Sequence, residues 1–198
     1  PDLVDLLCSD AQLPEGVDAL SVHADQVPAY SGTRSSVSLA RLAAQTAGET
    51  SIVQVGVWLG ASSAQLALGI RRRRKPGVVT LHCYDSWTVT STDIKRAASW
   101  GVLLSEGESF LPRTRQLLHP LGVEIEFRTA FLDAVWEENP IALYVDDMRR
   151  SPTLFWRALE VFGPHWIPGE TVLVFLNYEH DSGERAQSCT YQEHLVES

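Results

Sequence analysis

Five short apolar runs punctuate the chain: Ser51 to Val57, Val78 to Tyr84, Val123 to Phe127, Ile141 to Val145 and Thr171 to Leu176. They are rich in Val, Ile, Leu and aromatic residues and mostly lack polar alternation, the pattern of strands covered on both faces. Helical content fills the gaps: Ser62 to Arg74, Asp93 to Leu104, Phe110 to Leu118 and Pro152 to Phe162. In the last of these the proline falls in the first turn, where a missing N–H costs nothing. Strand and helix in repeated alternation predict a three-layer α/β sandwich with a mostly parallel central sheet, because parallel strands need crossover connections. Ligand chemistry is then expected at the carboxyl ends of the strands, near the switch in strand order. Ahead of the first strand, Ser35 to Ala47 reads as a helix with Leu39 and Leu42 inward. Residues 1–34 read as a looser lead-in, and 35–198 as the domain.

Composition adds limits. A chain of 198 residues that is 44% hydrophobic and 21% charged is long enough to bury roughly two-thirds of its unfolded surface, so it folds without disulfides or a structural metal. Sixteen Lys and Arg stand against 25 Asp and Glu, a net charge of −9, opposite to the footprint of a nucleic-acid binder. The basic run Arg71 to Lys75 reads as a solvated helix end that complements the macrodipole and is stopped by Pro76-Gly77. Cys8, Cys83 and Cys189 are odd in number and far apart, which fits reduced thiols in the cytoplasm and contains no zinc pattern. The uncharged stretch Ser51 to Ile70 imitates a membrane span, but Gln54, Gly56, Gly60, Ser62, Ser63 and Gln65 interrupt it, and no span is expected. No signal peptide is visible, and a start at Pro1 fits a piece of something longer.

The segment richest in chemistry runs from Ser51 to Ser63, a strand leading through a glycine turn into a helix. Gly56 and Gly60 permit a tight turn and close approach of a ligand, while the helix start offers N–H groups. A simply packed turn has the same spacing. Asp85 and Ser86, in Tyr84-Asp85-Ser86-Trp87, close the second run, where a carboxylate can accept a ribose diol; Asp85 can equally cap a turn. Together with the glycine turn, Asp85 points to an adenosine-containing ligand. Trp58 and Trp87 are candidates to line its pocket, whereas Trp100, Trp136, Trp156 and Trp166 read as core or interface. Thr88 to Glu108 is an insertion of a kind that serves as a lid. His180, with Glu179 or Asp181 to orient it, is the candidate general base on the ligand edge; an exposed loop histidine is the plainer alternative. His165 belongs to the opposite edge.

These motifs resemble class I S-adenosylmethionine-dependent methyltransferases, in particular the macrocin O-methyltransferase-like group. Gln54-Val-Gly-Val-Trp-Leu-Gly-Ala-Ser62 is similar to E-x-G-V-W-x-G-G-S, Tyr84-Asp-Ser-Trp87 to F-D-S-F, and Arg128-Thr-Ala-Phe-Leu-Asp-Ala-Val135 to K-G-W-F-x-D-T-L. Asp146-Asp-Met-Arg-Arg-Ser-Pro-Thr153 is similar to D-G-D-M-Y-E-S-T, and Pro168 to Tyr178 to P-G-G-x-x-x-x-D-D-Y. The resemblance covers residues 35 to 180 and implies a Rossmann-like fold, S-adenosylmethionine as cofactor, and O-methylation of a hydroxyl on a small-molecule, sugar or other glycan acceptor. Gly56, Trp58, Gly60, Asp85 and Ser86 then bind the cofactor. By the same resemblance Asp146 is catalytic, beside the candidate base His180, and Asp146, Asp147 and Asn177 orient the acceptor through a divalent ion such as Mg²⁺. Gln54, Ala61 and Leu176 depart from the family pattern, and the glycine between the two aspartates is missing. Only 22 residues follow Leu176 (198 − 176), so the family's final hairpin is expected to be absent. That absence leaves a sheet edge to be covered by another domain or a second copy. The rival expectation is a methyltransferase-like binding or assembly module without catalysis.

Overall fold

All five apolar runs form strands: β1 Thr50–Val55, β2 Val79–Asp85, β3 Ile125–Thr129, β4 Ile141–Asp146 and β5 Val172–Phe175. The computed structural model describes residues 19–29, 34–74, 77–129, 135–148 and 152–176. Every strand pair is parallel, in the order β3-β2-β1-β4-β5. The order reverses at β1, so the β1/β4 boundary is the switch point. In register, Val55 stands between Tyr84 and Asp146. Gly56, Asp85 and Asp147 therefore leave the sheet side by side.

Among the described residues six α-helices accompany the strands: α1 Ala19–Gln26, α2 Arg34–Gln45, α3 Ala61–Arg71, α4 Ser91–Ala98, α5 Leu111–Leu118 and α6 Pro152–Phe162. Alternation along each strand sends Ile52, Leu81, Cys83, Leu143 and Val145 to one face, where Ala24, Leu39, Leu66, Ala97 and Leu118 of the first five helices meet them. Val53, Val55, Tyr84 and Tyr144 face the other way, against Ala158, Val161 and Phe162 of α6 and against Trp136. Each large side chain buried in this way contributes about 1.5–3 kcal/mol. The result is the expected three-layer, Rossmann-like α/β sandwich. The cover is uneven: among the described residues, α6 is the one α-helix on the second face, and Trp136 lies edge-on over His82 with ring centroids 4.8 Å apart.

Three expectations need correction. Within the supposed lead-in, residues 19–26 are helical and bury Ala24, and Val27 follows them into the core. Polar anchors hold this helix, since His23 Nε2 lies 2.7 Å from the Leu117 carbonyl and Gln65 donates to Asp25 at 2.9 Å. The basic run is only in part a solvated helix end: Arg71, in the last turn, and Arg74 are exposed, whereas Arg72 and Arg73 are half-buried. Arg73 Nε donates to the Thr46 carbonyl at 2.9 Å, its Nη1 donates to the Gly77 carbonyl at 3.1 Å, and Arg72 bonds the Ser21 hydroxyl. These arginines bolt α3 to α1 and to the loop after α2. Trp87 does not line a pocket: it is 3% exposed, packs edge-on against Phe110 and Phe127, and donates to the Arg128 carbonyl at 2.9 Å.

The insertion after β2 is a loop closed at its neck. Val89 N donates to the Glu108 carbonyl at 2.9 Å and Phe110 N to the Trp87 carbonyl at 3.0 Å. Thr90 and Asp93 begin α4 with a reciprocal capping box, which satisfies two helix-end donors. No helix among the described residues is long and apolar enough to cross a membrane.

Candidate functional site

The site grows from the end of β1. Gly56 has φ +84°, and a Cβ there would lie 2.6 Å from Met148 Cγ and 2.8 Å from the Asp147 carbonyl. Glycine is required because the chain leaving β4 presses on it. Gly60, φ +98°, is the N-cap of α3 and lies beneath Leu118. Between them Trp58 holds φ +50° and is 8% exposed, its carbonyl accepting from Thr114 Oγ1 at 2.9 Å. A bulky residue in this region is strained and persists only where its surroundings hold it.

Besides Thr114, Asp85 and Gln54 hold the turn. Asp85, at the end of β2, accepts the backbone N–H of Val57 at 2.7 Å and of Trp58 at 3.0 Å, both on Oδ2. Its Oδ1 keeps longer contacts of 3.3 Å with the Ser86 hydroxyl and the Trp87 N–H. From inside the turn, the fully buried Gln54 donates to the Gly56 carbonyl at 2.9 Å and accepts the Ser63 hydroxyl at 2.7 Å. Ser63 in turn lies 3.5 Å from Cys83 Sγ, and burial pushes that thiol up to about 12. Cys83 is therefore a neutral packing residue at neutral pH.

On the other flank, Ser62 donates to Asp147 Oδ2 at 2.9 Å, which ties the start of α3 to the end of β4. Asp146 is 1% exposed, and its Oδ1 accepts from Met148 N at 3.2 Å. Gly56, Trp58, Gly60, Asp85, Ser86, Asp146 and Asp147 thus share the carboxyl edge of the sheet. His180 and Asn177 lie outside the described residues. Mg²⁺ demands near-octahedral oxygen ligation. The Asp146 and Asp147 carboxylates are instead engaged with the chain itself, and among the described residues no cluster of three His, Cys, Asp or Glu is placed to hold a metal. Asn177, the third residue expected to hold such an ion, lies outside the described residues. Ser62, Ser63 and Met148 escaped sequence reasoning. Hydroxyls in the first turn of a helix after a glycine turn were the available signal for the two serines, and Met148 had none.

A second polar group lies on the opposite sheet face. His82 Nδ1 is 3.5 Å from Glu126, and Arg128 bonds both Glu126 and Glu138. Burial lowers the His82 pKa, against the raising effect of Glu126. Tyr84 is raised by burial.

No family model matches the chain, and no curated protein does. Among solved structures it is similar to YjhP from E. coli, at 13% identity and a TM-score of 0.45, covering 87% of this chain and 63% of that one. It is also similar to an O-methyltransferase from Bacillus cereus crystallised in complex with SAH. There the identity is 20%, the TM-score 0.53, and the coverage 98% of this chain and 84% of that one. At 20% identity the likeness to the Bacillus cereus structure is one of fold, and it agrees with the Rossmann-like α/β architecture built above.

Proposed function

We propose that the chain is an S-adenosylmethionine-dependent O-methyltransferase acting on a hydroxyl of a sugar or natural product, as the macrocin O-methyltransferase-like group does, and working in the cytoplasm. The observation that carries the reading is the meeting of the glycine turn with Asp85 across adjacent parallel strands, at the ligand-binding edge of the sheet. Likeness in fold to an O-methyltransferase crystallised with SAH supports it. In this reading Gly56, Trp58, Gly60, Asp85 and Ser86 hold the cofactor, which when bound supplies an electrophilic sulfonium methyl. Placement is then the main contribution of the protein, worth about 7–11 kcal/mol when acceptor and donor are held near attack geometry. Asp146 and Asp147 stand on the acceptor side, and His180 is the proposed base, with Asn177 beside it. No step runs through a metal.

A second reading, a binding module without catalysis, is favoured by the packing at the switch point. Met148 fills the space above Gly56, and Ser62 ties down Asp147. Calorimetry with S-adenosylmethionine and S-adenosylhomocysteine, with and without Mg²⁺, separates the two. Saturable binding of both ligands is expected, and a folded sample that binds neither overturns the enzymatic reading.

A further inference from the structure

Asp85 Oδ2 already receives two N–H groups of the turn, at 2.7 and 3.0 Å. A carboxylate oxygen offers about two lone-pair sites, so this oxygen is filled. The contacts of Oδ1 are long, and it lies beside the exposed Ser86. A hydroxyl approaching Oδ1 would make a shorter, charge-assisted bond than either of its present partners does.

We propose that Asp85 divides its carboxylate between two tasks: Oδ2 is a permanent clamp on the strained turn, and Oδ1 alone receives the ligand. The ligand-facing half rests on the methyltransferase reading. The clamp half does not, since the strained turn at Trp58 needs holding whether or not a ligand is present. A vicinal diol on a ribose would then be recognised through one hydroxyl and not gripped by both carboxylate oxygens. Asp85 is thus a positioning residue for the turn and a contact residue for one ribose hydroxyl.

Asp85→Asn separates the tasks. The two N–H groups select the Asn carbonyl for the clamp, which leaves the Asn amide, a donor, where Oδ1 stood, facing the Trp87 N–H. The test is amide hydrogen exchange at Val57 and Trp58 in the ligand-free protein, together with titration by S-adenosylhomocysteine, adenosine, 2′-deoxyadenosine and 3′-deoxyadenosine. We expect D85N to keep both amides protected within about threefold of the parent while binding S-adenosylhomocysteine about tenfold more weakly. D85A should lose both properties, with exchange at the two amides rising about tenfold or more, a ratio in line with loss of a charged hydrogen-bond acceptor. One deoxyadenosine should bind like adenosine and the other about tenfold more weakly. If D85A folds poorly, D85N and the deoxynucleosides still decide. Equal losses for both deoxynucleosides, or exchange in D85N that rises about tenfold, overturn the division. Protected amides in a parent protein that binds no S-adenosylhomocysteine overturn the methyltransferase reading and the ligand-facing half, and leave the clamp established.

Discussion

Ser63 donates a hydrogen bond to the side-chain carbonyl of Gln54 at 2.7 Å, and the Gln54 amide donates one to the Gly56 carbonyl at 2.9 Å. This pair of bonds explains why an amide serves where the resembling family has a carboxylate. A carboxylate at this position would set negative oxygen against the Gly56 carbonyl.

Gln54→Glu tests that explanation. The new carboxyl is fully buried, so its pKa rises and its ionised form is penalised. At neutral pH the variant should lose about 3 kcal/mol, the scale of an uncompensated buried charge. With a raised folded-state pKa, the penalty holds above that pKa and fades as acid protonates the group, because a neutral carboxyl can again donate to Gly56. Denaturant unfolding at neutral and acid pH measures the difference; a constant gap refutes the explanation.

Gly56→Ala should cost more than its backbone conformation alone requires. A residue with a Cβ in the left-handed region costs about 1–2 kcal/mol. At Gly56 the added carbon also meets Met148 and the Asp147 backbone within 2.8 Å, which adds about 1–3 kcal/mol of overpacking. Gly48, φ +72° with nothing within 4 Å of an added Cβ, is the internal control. Equal losses in the two variants would show that the close approach is not felt.

His82 should make the protein acid-sensitive. Burial holds its folded-state pKa below the ordinary value, so the unfolded chain binds the proton more readily. The stability is complete above about pH 6.5 and is lost as pH falls toward the depressed folded-state value. Glu126, Arg128, Glu138 and the Trp136 ring are the groups that face it. Thermal unfolding followed from about pH 7.5 down to about pH 5.5 should show a steeper decline in the parent than in His82→Gln.

Arg73→Ala should cost about 1 kcal/mol through two lost bonds to main-chain carbonyls. Because the acceptors are neutral, added salt should change that figure little. Arg157, paired with Glu160 at 3.1 Å on the surface of α6, should give about 0–0.5 kcal/mol, screened by salt. A strong salt dependence at Arg73 would contradict the bolt.

The sheet was legible because its strands lie in runs rich in Val, Ile, Leu and aromatic residues, even where Thr80, His82, Glu126 and Arg128 interrupt β2 and β3, and α6 was legible because Pro152 marks its first turn. Helix α1 was not: of its eight residues only Ala24 is buried, so there is little stripe to read, and its anchoring comes from distant partners such as Leu117 and Gln65. Asp85 was correctly placed at the β2 terminus. Which of its oxygens faces the turn depends on the path of a segment 27 residues away, which spacing along the chain does not encode. Trp87 misled for a similar reason: an indole next to a ligand motif turns into the core when Phe110 and Phe127 wait beneath it.

Among the described residues five helices back one side of the sheet, whereas on the other α6 is the one helix and His82 lies under Trp136, from the segment entering β4. That asymmetry gives the molecule a thin wall. On warming, the His82 flank is expected to open to water before the five-helix side yields.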